Sequence, residues 1–162
     1  MAEAKVKLLL VDDEKAFVES LARRLSLRDF EVVCGFSGQE AIDQLATYRD
    51  IEVFVLDIKM PGMDGIETIR EIKTKFPLVE VIMLTGHATI ESAVEGMKLG
   101  AFDYLLKPCE IDALIPKIRT AAEQKRYYEK RMMEELIKPY RPKMNETELL
   151  RKIKKDEHPE KE

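Results

Sequence analysis

The stretch VFVLDIKMPGMDG, Val53 to Gly65, is an apolar run that stops at a single carboxylate and then passes into a loop marked by proline and glycine. An unpaired charge left inside a core is expensive. Asp57 must therefore stand where the run surfaces, beside groups that compensate its charge. The surrounding chain repeats the same plan. Lys5 to Val11 is a short apolar run, and Asp13 to Leu27 then carries Phe17, Leu21 and Leu25 at helical spacing. Phe30 to Cys34 is β-rich, and Ser37-Gly-Gln-Glu40 has the form of a capping box opening a helix through Leu45. Ile51 to Asp57 is the third strand, Ile66 to Lys75 a helix closed by Phe76-Pro77, and Val79 to Thr85 the fourth strand. A helix over Thr89 to Leu99 ends at Gly100, and Tyr104 to Lys107 is the fifth strand. Strand and helix alternating in this way predict an α/β, doubly wound parallel sheet with helices on both faces.

The first, third and fourth strands are almost uninterrupted Leu, Val and Ile, the pattern of strands covered on both faces. They are the central ones. In such sheets the ligand crevice lies beyond the carboxyl ends of the strands, where strand order reverses. Asp12-Asp13, Asp57, Thr85 and Lys107 stand at those ends. Strand exits often carry Asp and Thr without function, but three carboxylates on one edge repel by about 4 kcal/mol per pair at ~4 Å and an effective dielectric near ~20. The cluster needs a cation. All-oxygen ligands favour a hard ion, Mg²⁺ with Mn²⁺ as a substitute, and Mg²⁺ so held keeps positions for water and phosphate oxygens. Lys107 can offset negative charge, and Thr85 can donate a hydrogen bond. Neither GxxxxGK[ST] nor a GxGxxG after the first strand is present, so a bound nucleotide is not indicated. A phosphoryl group would then end on the protein, and Asp57, alone on the central strand, is the candidate acceptor.

The composition agrees with a single core and some length to spare. The 162 residues are 45% hydrophobic and 36% charged, as in a globular domain. No apolar stretch approaches the ~18 residues of a membrane span. The start, MAEAKVKLLLVDD, turns acidic too soon for a signal peptide, so the cytoplasm is expected and no membrane partner is. Cys34 and Cys109 lie far apart with no metal-ligand or redox spacing and are read as reduced. The net charge of −4 is uneven: from Thr120 onward 12 Lys and Arg face 10 Asp and Glu, leaving a net −6 before it. No basic field for direct nucleic-acid binding belongs to the body.

VDDE at Val11, LDIKMPGMDG at Leu56, LTGHA at Leu84 and GAFDYLLKP at Gly100 together resemble the CheY-like receiver domain of two-component response regulators, over roughly residues 5 to 120. The motifs are similar to those of receivers joined to NtrC-like transcription activators. The resemblance implies a flavodoxin-like (βα)5 fold of strand order 2-1-3-4-5, with Asp57 phosphorylated from a phosphohistidine of a sensor histidine kinase or histidine phosphotransfer protein. It implies Mg²⁺ on Asp13, Asp57 and the backbone carbonyl of Lys59, with Asp12 assisting through water, and Thr85 and Lys107 on the phosphoryl oxygens. It makes Lys107-Pro108 a cis peptide. It also gives Thr85 and Tyr104 a switching role that reshapes the face of the fourth helix, fifth strand and fifth helix toward an effector protein or a homodimer; the plain alternative for Tyr104 is a partly exposed strand residue. Such a domain catalyses only its own phosphorylation and slow dephosphorylation and is not otherwise an enzyme.

Two other functions are set beside this one. An aspartate-nucleophile phosphatase of the haloacid dehalogenase type needs a second Asp two residues after the nucleophile, where this chain has Lys59. A phosphorylation-independent scaffold would have no need of Asp13, Asp57, Thr85 and Lys107. His87, close in sequence to Thr85, reads as a loop histidine, and Met60 and Met63 as loop packing.

Residues 1–120 are read as the receiver, 121–139 as a helical extension or linker and 140–162 as a charged, partly disordered tail. Pro116 predicts an irregular start to the fifth helix near Asp112. Leu114, Ile118, Ala121, Tyr128 and Met132 form a stripe interrupted by Lys125, open to two readings: a solvated extension or a dimerising coiled coil. A short helical piece is expected at Glu146 to Ile153, then a disordered DEHPEKE. The remainder is too short for an ATPase module and holds no helix-turn-helix pattern.

Overall fold

A computed structural model of the chain describes residues 5–58, 64–86, 90–139 and 143–158. Eleven elements follow in order: β1 (Val6–Val11), α1 (Lys15–Ser26), β2 (Phe30–Gly35), α2 (Gly38–Thr47), β3 (Val53–Leu56), α3 (Gly65–Lys75), β4 (Glu80–Thr85), α4 (Ile90–Lys98), β5 (Asp103–Leu106), α5 (Ile111–Leu136) and α6 (Glu146–Glu157). The strands form one sheet of order β2-β1-β3-β4-β5, and every pairing is parallel. This is the doubly wound (βα)5 arrangement that the alternation of strand and helix predicted, with the three most apolar strands in its interior.

The period of two in each central strand divides the core. Leu8, Leu10, Val53, Val55, Ile82 and Leu84 face α1 and α5, where Val18, Leu25, Leu114 and Ile118 meet them. Leu9, Val11, Phe54, Leu56, Val81 and Met83 face α2 and α3, where Ala41, Leu45, Ile69 and Ile72 meet them. A shift of one residue in any strand would exchange the two sets, so burial on both faces fixes the register. That register pairs Val11 with Leu56 and Leu56 with Met83, bringing the strand ends level.

Local signals set the helix starts. Ser37 Oγ accepts the Glu40 N–H at 3.1 Å, and the Glu40 carboxylate reaches back to the Phe36 N–H at 2.6 Å. The reciprocal cap closes one residue earlier than the usual box. Helix α1 begins at Lys15 rather than Asp13, leaving Asp12 and Asp13 in the turn before it.

The C-terminal part departs from expectation. Helix α5 starts at Ile111 and runs unbroken for 26 residues, with Pro116 inside it. Proline removes only its own N–H, so the carbonyl affected is that of Asp112; both residues are exposed, and water can serve that carbonyl. Ile111, Leu114 and Ile118 bury on either side and hold the helix to the sheet. The second half of α5 is tied to the opposite, N-terminal edge of the strands. Arg126 donates two hydrogen bonds to the Glu52 carboxylate, at 2.6 and 2.8 Å, and Gln124 donates to Glu80 at 3.2 Å. The stripe that allowed two readings is covered from within: Leu149, Leu150 and Ile153 of α6 pack on Tyr128 and Met132, with Leu78 alongside. The tail is helical from Glu146 through Glu157, including Asp156 and Glu157 of the segment expected to be disordered.

Gly65 joins the loop after β3 to α3. A Cβ there would lie 2.3 Å from Ile58 Cα and 2.6 Å from the Ile58 carbonyl oxygen, which accepts the Gly65 N–H at 2.7 Å. Backbone meets backbone, and no side chain can yield. At Gly86 the nearest atom among the described residues is Lys107 Cβ at 3.8 Å. Gly65→Ala is therefore expected to lower stability by about 2 kcal/mol, and Gly86→Ala to stay within about 0.5 kcal/mol, as read from urea unfolding midpoints; equal midpoints for the two variants would contradict the close approach.

Candidate functional site

The level strand ends place four functional candidates on one edge. Asp12 follows β1, Asp57 follows β3, Thr85 ends β4 and Lys107 follows β5. Ladder hydrogen bonds extend one step past the strands: Asp57 N–H donates to the Val11 carbonyl at 3.1 Å and Lys107 N–H to the Thr85 carbonyl at 3.0 Å. Backbone geometry, rather than loop packing, thus sets where these side chains begin.

Asp12 and Asp57 are buried, at 1% and 4% exposure, while Asp13 is open to solvent. One carboxylate oxygen from each lies within 4.8 Å of the others. The Lys107 ammonium bridges the two buried groups, in a short ion pair with Asp12 Oδ2 and at 3.5 Å from Asp57 Oδ2. Its other side sits 4.1 Å from the centre of the Phe17 ring, a face that attracts a cation. Asp12 Oδ1 accepts the Glu14 N–H at 3.1 Å. Burial pushes the Asp12 carboxyl up, against the pull of Lys107 and the Glu14 amide. Burial alone would lower the Lys107 ammonium, but the hydrogen bond and charge of Asp12, with the charges of Asp57 and Glu14, hold it above its ordinary value. The lysine is therefore a fixed positive charge, and three carboxylates around it leave a net negative pocket.

Such a pocket fits a hard divalent cation. Its donors are all oxygen, they come from two chain segments held at fixed register, and Asp13 opens one side to water.

The remaining candidates are distributed around this cluster. Thr85 is fully buried on the adjoining strand end. Tyr104 lies farther back on β5, opposite Met83, and packs half-buried against the core layer under α2 and α3. It is placed behind the pocket rather than in it. Lys107-Pro108 is cis. Lys59, His87, Met60 and Met63 lie outside the described residues. Two contributors escaped the sequence reading. Phe17 was counted among the apolar positions of α1, and its ring serves as a platform for Lys107. Glu14 supplies a backbone amide to the carboxylate two residues before it, an Asx-type contact that the spacing Asp12-Asp13-Glu14 could have suggested.

With the cluster short of positive charge, removing its solvent-exposed member should relieve repulsion. In a metal chelator, Asp13→Asn is expected to stabilise the fold by about 1 kcal/mol, the scale of two charges ~4 Å apart in water. Adding Mg²⁺ should then stabilise the parent chain and have less effect on the variant. Urea titrations with and without the ion check both halves, and a destabilised variant in chelator would refute the repulsion.

The sequence profile of the response regulator receiver domain matches residues 8–119. The transcriptional regulatory protein DegU of Brevibacillus brevis is 34% identical over 148 residues, which are 90% of this chain and 62% of that protein; the chain thus spans less than two thirds of that relative. A crystal structure of a response regulator receiver domain protein from Clostridium thermocellum superposes with a TM-score of 0.72 at 34% identity, covering 75% of this chain and 98% of the other. The beryllofluoride-activated NtrC4 receiver domain dimer gives 0.68 at 32% identity, over 74% and 98%, which is compatible with the NtrC-like character of the motifs. Sheet order, pocket and matched span lead to one conclusion: the chain belongs to the response regulator receiver domain family, the phosphorylation switches of two-component systems.

Proposed function

We propose that Asp57 is the phosphoacceptor of this switch, taking its phosphoryl group from a phosphohistidine on a histidine kinase or histidine phosphotransfer protein. The observation that carries the reading is the placement of Asp57: buried beside Asp12, within reach of the Lys107 ammonium, and level with Thr85. In the transfer, the bond from phosphorus to the donor imidazole nitrogen breaks and a bond from phosphorus to an Asp57 carboxylate oxygen forms. Catalysis of such a step is chiefly positioning and electrostatics. The sheet holds Asp57 in place, and Lys107 offers its charge to the phosphoryl oxygens. Asp12, Asp13, Asp57 and the Lys59 carbonyl would hold Mg²⁺, or Mn²⁺ in its stead. The ion, when bound, supplies charge neutralisation for the phosphoryl group.

Once Asp57 is modified, the acyl phosphate presents more oxygens than a carboxylate does, and the Thr85 hydroxyl donates to one of them. Thr85 and Tyr104 both border the layer of β4 and β5, so a shift of the first changes the room available to the second. The output is a changed surface for an effector protein or a second copy of the chain, a bias on a pre-existing equilibrium. The domain acts on itself and turns over no separate substrate. Among the described residues no helix is long and apolar enough to cross a membrane.

Incubation with a small acyl-phosphate donor and Mg²⁺, followed by intact-mass spectrometry, tests this. The parent chain should gain the mass of one phosphoryl group, Asp57→Asn should gain none, and chelation of the metal should abolish labelling. Identical spectra for parent and variant would leave a scaffold that keeps the fold without the chemistry, and rapid turnover of the donor would revive the phosphatase.

A further inference from the structure

At the end of the sheet opposite the carboxylate cluster, α5, α6 and the receiver body meet around an incompletely filled seam of about 300 Å³. Ile51 and Val79, which precede β3 and β4, form its floor, with Leu45 from α2 and Phe76 from the end of α3. The far wall is Met132 and Leu136 of α5. Helix α6 covers Tyr128 and Met132 but leaves Leu136 at 42% exposure. Apolar surface is thus drawn into a cleft and left partly open, the form that small-molecule sites take.

Charge at the mouth is uneven. Arg49, Lys75 and Lys125 line the seam against Glu129 and Glu146. Lys75 is taken by Glu71 at 2.6 Å, and Lys125 is paired with Glu129. Glu146, at the first turn of α6, is favoured there by the helix dipole. Arg49 has no carboxylate partner among the described residues; its guanidinium lies 5.2 Å from the centre of the Phe76 ring. Stacking leaves the edge of the guanidinium, with its fork of N–H donors, free for a planar anion.

We infer that this seam is a binding site for a small apolar carboxylate, its chain lying between Val79 and Leu136 and its carboxylate on Arg49. The volume is at the lower end for small-molecule pockets, so a short acyl chain fits and a large cofactor does not. The floor of the site and Arg49 lie within the matched span of residues 8–119, and the far wall comes from the part of the chain beyond it. A ligand there would bridge α5, α6 and the strand starts, and it is independent of Asp57 chemistry.

Titration of the full chain with octanoate, followed by calorimetry and amide chemical shifts, tests the site. Expected are saturable one-to-one binding with shifts concentrated at Arg49, Phe76, Met132 and Leu136, weakening by roughly tenfold or more in Arg49→Gln, and loss of binding in Leu136→Trp, which fills the cleft. Both positions are exposed enough for the variants to fold, and unfolding midpoints verify that. Octanol serves as a probe that needs no variant, and it should bind more weakly than octanoate. Absence of saturation, octanol binding as tightly as octanoate, or binding unaffected by both substitutions would each overturn the assignment.

Discussion

The site depends on one lysine held between two carboxylates that the fold has taken out of water. Burying Asp12 and Asp57 side by side would be costly for any chain, and Lys107 makes it tolerable by lying against both. Its own position is fixed by the backbone bond to Thr85 and by the Phe17 ring. The compensation is incomplete, because the third carboxylate, Asp13, has no such partner among the described residues and faces water. A pocket built this way is short of positive charge, and its all-oxygen donor set suits a hard cation.

The sheet makes the arrangement possible. Parallel strands paired in one register deliver their C-terminal residues to the same level, so side chains far apart in sequence meet without any loop having to be long or specially shaped. The opposite level has its own polar layer, in which Glu52 and Glu80, both buried, find partners on α5 rather than in solvent. One edge of the strands gathers the charged cluster, and the other fastens a helix.

Much of this was legible in the residues. Strand and helix alternated with clear periodicity, the three apolar runs marked the central strands, and the polar residues closing them marked the site. The C-terminal region was harder to read. A stripe on α5 states that an apolar face needs a partner but does not identify it, and α6 is too short and too charged to advertise that it is the partner. Pro116 was read as a disruption because the sequence does not show that Asp112 and Pro116 both fall on the wet side of the helix. Likewise, nothing near Glu52 or Arg126 in sequence signals a pair 74 positions apart. Local rules find elements and their ends; contacts between remote segments emerge only once the register is fixed.

Helix α5 has one further mechanical consequence. Its 26 residues make a rod about 39 Å long that starts three residues after Pro108 and passes along the sheet before projecting beyond it. Because the Glu52–Arg126 pair and the core contacts fasten it at several points, it has little freedom to swing on its own, and its outer end keeps a set bearing relative to the strands. The receiver therefore carries a stiff mast whose tip would report any reorientation of the body as a displacement in space.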